Sequence, residues 1–154
     1  MPIVEKQLKD LCNMIEIIVW LIRVSSDNNV FLLKKNTKTS YEYTLVGGHV
    51  EKGESLKHVL TREVMEEVGV KVNPNDLMLT TIIARKLDDK HKIHFFFYTK
   101  SWEGTPYNKE PNIHLTGEWY PLNHLSTNIG PLAKRGVESL NNNKNFYEYG
   151  WEEK

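Results

Sequence analysis

Glutamates stand at positions 63, 66 and 67 of this chain, a spacing that places three carboxylates on one side of an α-helix. The i,i+4 pair Glu63 and Glu67 opposes helix formation by about 0.2–0.5 kcal/mol unless something positive sits between. Hard divalent cations such as Mg²⁺ favour oxygen ligands of this kind. Arg62 lies in the same stretch, and Glu54 lies one turn-like segment before it.

The surrounding residues predict what must hold these groups. Gly47-Gly48 follows the apolar-rich stretch Tyr41 to Val46, and predicts a loop whose backbone can approach an ion closely. Glu51-Lys52-Gly53-Glu54 predicts a turn, with His49 and Glu51 as ordinary turn residues. Ser55 suits a helix N-cap. Leu56, Val59, Leu60, Val64 and Val68 recur at helical spacing and predict a helix from about Leu56 to Val68, stopped by Gly69. Within it, Arg62 can hold a carboxylate bidentately, and Glu54 is its expected partner.

The run from Gly48 to Val70, GHVEKGESLKHVLTREVMEEVGV, resembles the signature box of the Nudix hydrolases, G-x5-E-x7-R-E-U-x-E-E-x-G-U with U a bulky aliphatic residue. Gly48, Glu54, Arg62, Glu63, Val64, Glu66, Glu67, Gly69 and Val70 occupy its fixed positions without insertion. The GGHVE segment, the aromatic stretch IHFFFY, Glu110-Pro111, the WYPL segment and the closing YEYGW share the flavour of a bacterial MutT/Nudix subgroup. One departure is Val46, where many members carry proline before the double glycine. Extra markers of the ADP-ribose, diadenosine polyphosphate, coenzyme A and NADH subgroups are absent.

The resemblance implies an α+β fold, a Nudix α/β/α sandwich with a mixed β-sheet between helices. It implies hydrolysis of the pyrophosphate linkage in a nucleoside diphosphate linked to another group, with a (deoxy)nucleoside triphosphate as leading substrate by elimination. Mg²⁺ is the implied cofactor, with Mn²⁺ as substitute. Glu63, Glu66 and Glu67 are the implied ligands, together with a carbonyl of Gly47 or Gly48. Glu63 is also a candidate general base, and Arg62 with Glu54 braces the site. Outside the box, Glu110 and Glu118 are candidates for a further acidic role, and Lys35 and Arg85 (with Lys34) for phosphate contact. Phe95 to Tyr98, Trp119 and Tyr120 are either core or a stacking platform for a base. The competing reading is a Nudix-fold module that binds a nucleotide or protein without cutting; the intact box argues against it. An isopentenyl diphosphate isomerase would need a cysteine within the domain, whereas Cys12 lies in the N-terminal extension.

Composition sets the outer bounds. The 154 residues suit one domain, taken as 1–154 with 1–13 as an N-terminal extension and 48–70 as the box. Twenty basic and twenty acidic residues cancel, which argues against a nucleic-acid polymer as partner. The single cysteine excludes an intramolecular disulfide and fits a reducing, cytoplasmic setting. The longest apolar run, Ile17 to Ile22, is far too short to span a membrane, and no signal peptide is evident. A small-molecule nucleotide is the expected partner, with homodimerisation open.

The remaining elements follow from periodicity and breakers. Residues 3–13 predict a short helix. Ile15 to Val24 and Val30 to Lys34 predict two strands forming a hairpin around Ser25 to Asn29. Leu77 to Leu87 and Lys92 to Lys100 predict a second pair about Asp88-Asp89. Glu118 to Leu122 predicts a short strand, and Gly130 to Asn141 a second helix.

Overall fold

The computed structural model describes residues 4–7, 15–109 and 114–151. Residues 4–7 form one helical turn, and the rest of the helix expected over 3–13 falls outside the described residues, as does Cys12. The elements are β1 (Ile15–Arg23), β2 (Asn29–Asn36), β3 (Tyr41–Thr44), β4 (Val46–His49), α1 (Leu56–Val68), a 3-10 turn (Pro74–Asp76), β5 (Met78–Leu87), β6 (Lys90–Thr99), β7 (His114–Pro121), α2 (Pro131–Asn142) and β8 (Phe146–Tyr149).

A five-stranded sheet in the order β4-β1-β6-β5-β8 forms the centre. It is mixed: β1 runs parallel to β6, and β5 parallel to β8, while the other pairs are antiparallel. A second, three-stranded sheet, β3-β2-β7, is antiparallel. Alternation along the central strands supplies two cores. Val19, Leu21, Val46 and Phe97 meet α1 through Val59, Leu60, Val64 and Val68. Ile22, Ile83 and Phe96 point the other way and meet α2 through Ala133 and Val137. Helices on both faces of a mixed sheet are the expected sandwich, and the second sheet is an addition to it.

The expected β1–β2 hairpin does not form. The chain turns through Ser25 and Asn29, and Val24 bridges Val30, but there the pairing stops. Val30 to Leu33 are four consecutive buried residues, and β1 buries Ile18, Val19, Leu21 and Ile22. Strands apolar on both faces need cover on both. The two therefore part into different sheets, and β2 contributes Phe31 and Leu33 to one core, Val30 and Leu32 to the other.

Candidate active site

Helix α1 is set by local chemistry. The Ser55 hydroxyl accepts from the His58 N–H at 3.2 Å, and Gly69, at φ 70°, sends its N–H to the Met65 carbonyl at 3.1 Å. The stripe facing the sheet is buried apart from Leu56, which is partly exposed. The helix thereby fixes where Glu63, Glu66 and Glu67 emerge.

Gly47 and Gly48 do not form a loop. They lie in β4, where Gly47 pairs with Trp20 and Gly48 with Val19. His49, expected in a turn, is the last residue of this strand, and its imidazole lies 3.5 Å from Glu16. The reason for two glycines is space. A Cβ on Gly47 would lie 2.1 Å from the Val19 carbonyl oxygen and 2.6 Å from the Trp20 ring. A Cβ on Gly48 would lie 2.4 Å from the Glu63 carboxyl carbon. The strand backbone is therefore packed directly against a carboxylate on one side and an indole on the other.

Arg62 gathers the acidic groups. Its Nε donates to Glu54 Oε2 and its Nη2 to Glu54 Oε1, both at 3.2 Å, the expected fork. Its Nη1 donates to Glu63 Oε1 at 3.1 Å and to Glu66 Oε2 at 3.3 Å. The hydrogen bond from Arg62 holds the Glu54 carboxyl below its ordinary range, and Glu54 in turn holds the guanidinium more firmly protonated. Glu63 behaves oppositely. Burial pushes its carboxyl up against the pull of Arg62, and Glu66 adds to the rise. Glu67 is buried at 8 % exposure and hydrogen-bonds with Glu63. Glu66 is half exposed.

Among the described residues, no three acidic or imidazole side chains already converge as a metal-holding set. The chemistry of the donors nonetheless fits a hard cation. Two carboxyls in contact within a partly buried site cannot both ionise freely, so either one keeps a proton or a cation joins them. All the donors are oxygens, and β4 brings bare backbone against Glu63.

The other sequence candidates scatter. Glu118 is not brought to the box: its Oε2 accepts from the Tyr120 hydroxyl at 2.6 Å and the Tyr43 hydroxyl at 3.5 Å, beside the α2-side core. Burial and that bond push the Tyr120 hydroxyl well above its usual range. Glu110 lies outside the described residues; the N–H of Lys109 before it donates to the Glu67 carbonyl at 3.2 Å. Lys35 is exposed and sits opposite Glu42 across β2 and β3, while Lys34 covers the Tyr41 ring at 4.1 Å. Glu51 is exposed as expected. Trp119 packs edge-on against Phe31 and Trp102, with the Arg23 guanidinium over both tryptophans, so it belongs to an aromatic cluster with its own cation.

Arg85 lies elsewhere, in a cavity of about 380 Å³ on the α2 side of the central sheet. Trp20, Glu42, Thr44, Arg85, Tyr149 and the start of α2 line it. Five separate segments build this cavity, and apart from Arg85 its residues escaped sequence reasoning. Trp20 carried a usable signal, as the one aromatic in the aliphatic strand IEIIVWLIR. Tyr149 carried another, in the alternation of FYEY.

No described helix is long and apolar enough to cross a membrane. Residues 14–141 match the family model of the NUDIX domain. The chain is 29 % identical over 125 residues to an 8-oxo-dGTP diphosphatase of Escherichia coli (strain K12), covering 80 % of this chain and 92 % of that one. It is 34 % identical over 113 residues to an 8-oxo-dGTP diphosphatase of Buchnera aphidicola subsp. Acyrthosiphon pisum (strain APS), covering 73 % and 86 %. The fold is similar to that of a MutT NUDIX hydrolase from Burkholderia pseudomallei, with a TM-score of 0.72 at 19 % identity over 82 % of this chain and 98 % of that one. The match over most of the chain, joined to a complete box on an Arg62-braced helix, means that the chain belongs to the NUDIX domain family, as a MutT-type Nudix pyrophosphohydrolase.

Proposed function

We propose that this enzyme hydrolyses a (deoxy)nucleoside triphosphate to the monophosphate and pyrophosphate, using Mg²⁺, with Mn²⁺ able to substitute. The observation that carries this reading is the position of β4. One side of this four-residue strand meets Glu63, and the other meets Trp20 at the wall of the cavity. A nucleotide laid across β4 would put its base in the cavity and its phosphates over the carboxylates. Trp20 and Tyr149 offer aromatic faces, and Thr44 and Glu42 offer hydrogen-bonding groups suited to a base. Arg85 is the positive group of the cavity, which fits a phosphate or a base oxygen.

Glu63, Glu66 and Glu67, with a carbonyl of Gly47 or Gly48, would hold the cation. Bound there, a divalent ion neutralises the diphosphate bridge and acidifies water. The protein's own share is positioning. Arg62 keeps Glu63 and Glu66 aimed along one face, and its fork to Glu54 ties the preceding turn to the helix. Glu63 is the candidate to take the proton of the attacking water, while a phosphate oxygen leaves.

The experiment is a panel of nucleoside triphosphates with Mg²⁺ and release of pyrophosphate as the readout. Because two relatives are 8-oxo-dGTP diphosphatases, oxidised purine deoxynucleotides stand first in the panel. A chelator should abolish turnover and added Mg²⁺ or Mn²⁺ restore it. Glu67→Gln should lose at least ~100-fold in kcat. Full activity in that variant, or turnover untouched by chelation, refutes the assignment.

A further inference from the structure

We propose that His94 is a positioning residue, which clamps the Trp20 indole in place as one wall of the substrate cavity. This rests on the reading that the cavity takes the base of the nucleotide.

The geometry is direct. Trp20 Nε1–H donates to His94 Nδ1 at 2.9 Å, and the two rings lie nearly parallel, 14° apart with centroids at 6.2 Å. They sit on adjacent parallel strands, where Ile18 is opposite His94 and Trp20 opposite Phe96. One end of the indole is thereby anchored in the sheet, while the half-buried ring faces the cavity. Gly47 leaves the space into which the ring fits. Anchor and space together define a single ring orientation.

The choice of histidine needs a reason. At 2 % exposure, between Ile18 of β1 and Ile83 of β5, a phenylalanine or leucine would fill the site with less difficulty. Histidine instead leaves its buried Nε2 with no hydrogen-bond partner among the described residues. An unpaired buried donor is unfavourable. What histidine supplies is an acceptor for the indole, since a neutral ring protonated on Nε2 presents the Nδ1 lone pair. Burial, with Arg85, Lys92 and His49 nearby, pushes the imidazole down to about 4 and keeps that acceptor available at neutral pH. A core residue with this defect and this partner is explained by what it does for Trp20.

The test uses the full chain, with ¹⁵N-labelled tryptophan and the best substrate from the nucleotide panel. The Trp20 indole N–H signal, identified by its loss in Trp20→Phe, should lie downfield in the wild type and move on adding the nucleoside monophosphate. His94→Leu should shift that signal upfield and raise KM about fivefold, the loss of one ordinary hydrogen bond, with kcat little changed. His94→Gln, which offers a carbonyl acceptor, should recover most of that loss in KM. Trp20→Phe should raise KM, and adding His94→Leu to it should raise KM no further. Equal KM values in the Leu and Gln variants, or a His94→Leu effect that persists fully without the indole N–H, overturn the proposal. If the wild-type signal stays still as nucleotide saturates the enzyme, the cavity is not the base site, and the underlying reading falls with the proposal. If the signal moves but His94→Leu leaves KM alone, the cavity reading stands and only the role of His94 fails.

Discussion

Adjacent alanine substitutions in β4 should separate catalysis from stability. In Gly48→Ala the new Cβ would stand 2.4, 2.5 and 2.7 Å from Cδ, Oε1 and Cγ of Glu63. Ordinary carbon contacts begin at about 3.5 Å, so the carboxylate must move by roughly 1 Å. It ends a flexible side chain whose partner, the Arg62 guanidinium, is itself flexible and can follow it, so an off-rotamer cost of about 0.5–1.5 kcal/mol covers the shift. The reduced freedom of the unfolded chain returns about 0.4–1 kcal/mol of that. Net stability should stay within about 1 kcal/mol of wild type, whereas a displacement of this size at the reacting centre lowers kcat about 100-fold. In Gly47→Ala the Cβ meets the Val19 carbonyl oxygen at 2.1 Å and Trp20 Cε3 at 2.6 Å. That oxygen belongs to the sheet and cannot swing away. The β1–β4 ladder must open, losing on the order of 2–3 kcal/mol as two hydrogen bonds fail. Urea unfolding gives the stabilities and pyrophosphate release gives kcat. A fully active Gly48→Ala, or a Gly47→Ala as stable as wild type, refutes the picture of β4 wedged between carboxylate and indole.

Arg62→Lys keeps the charge but loses the fork to Glu54, and activity measured against Mg²⁺ concentration should show apparent metal affinity down by ~10–100-fold. Leu60→Ala, at a fully buried position of α1, should lower unfolding free energy by about 2–5 kcal/mol in urea titrations. His94 should make the protein acid-sensitive. Its ordinary value of 6.5 is pushed down to about 4 on folding, so the unfolded chain binds a proton first as pH falls. Stability should therefore be full above about 6.5 and decline toward pH 4, by at most about 3 kcal/mol. Unfolding at pH 4.5 and 7.5 should show a smaller difference in His94→Leu than in wild type.

What the sequence made legible was local. The bounds and both caps of α1, and the fork between Arg62 and Glu54, follow from residues a few positions apart. The β5–β6 pair follows from its turn in the same way, with Asp88 at φ 53°. What stayed hidden was long-range. Nothing near Val24 says that β1 and β2 enter different sheets, because that depends on which strands later cover their faces. Gly47-Gly48 looked like a loop because its two neighbours in space, the Glu63 carboxylate and the Trp20 indole, come from elements on either side in the chain. The cavity was the least legible feature, for Trp20, Thr44, Arg85 and Tyr149 come from four separate strands, and nothing local to any of them says that they converge. The surroundings of Glu118 were hidden for the same reason: a strand residue's chemistry depends on the face it takes, and this one faces Tyr43 and Tyr120.

Strand β8 closes the central sheet beside β5, buries Tyr147 and presents Tyr149 to the cavity, with Arg135 of α2 stacked over both rings. During synthesis, then, the acidic helix is finished long before its counterpart across β4 acquires its last wall. A nascent chain halted ahead of Phe146 would carry every residue of the box while lacking β8, and with it the Tyr149 wall of the cavity that the proposed reading assigns to the nucleotide base.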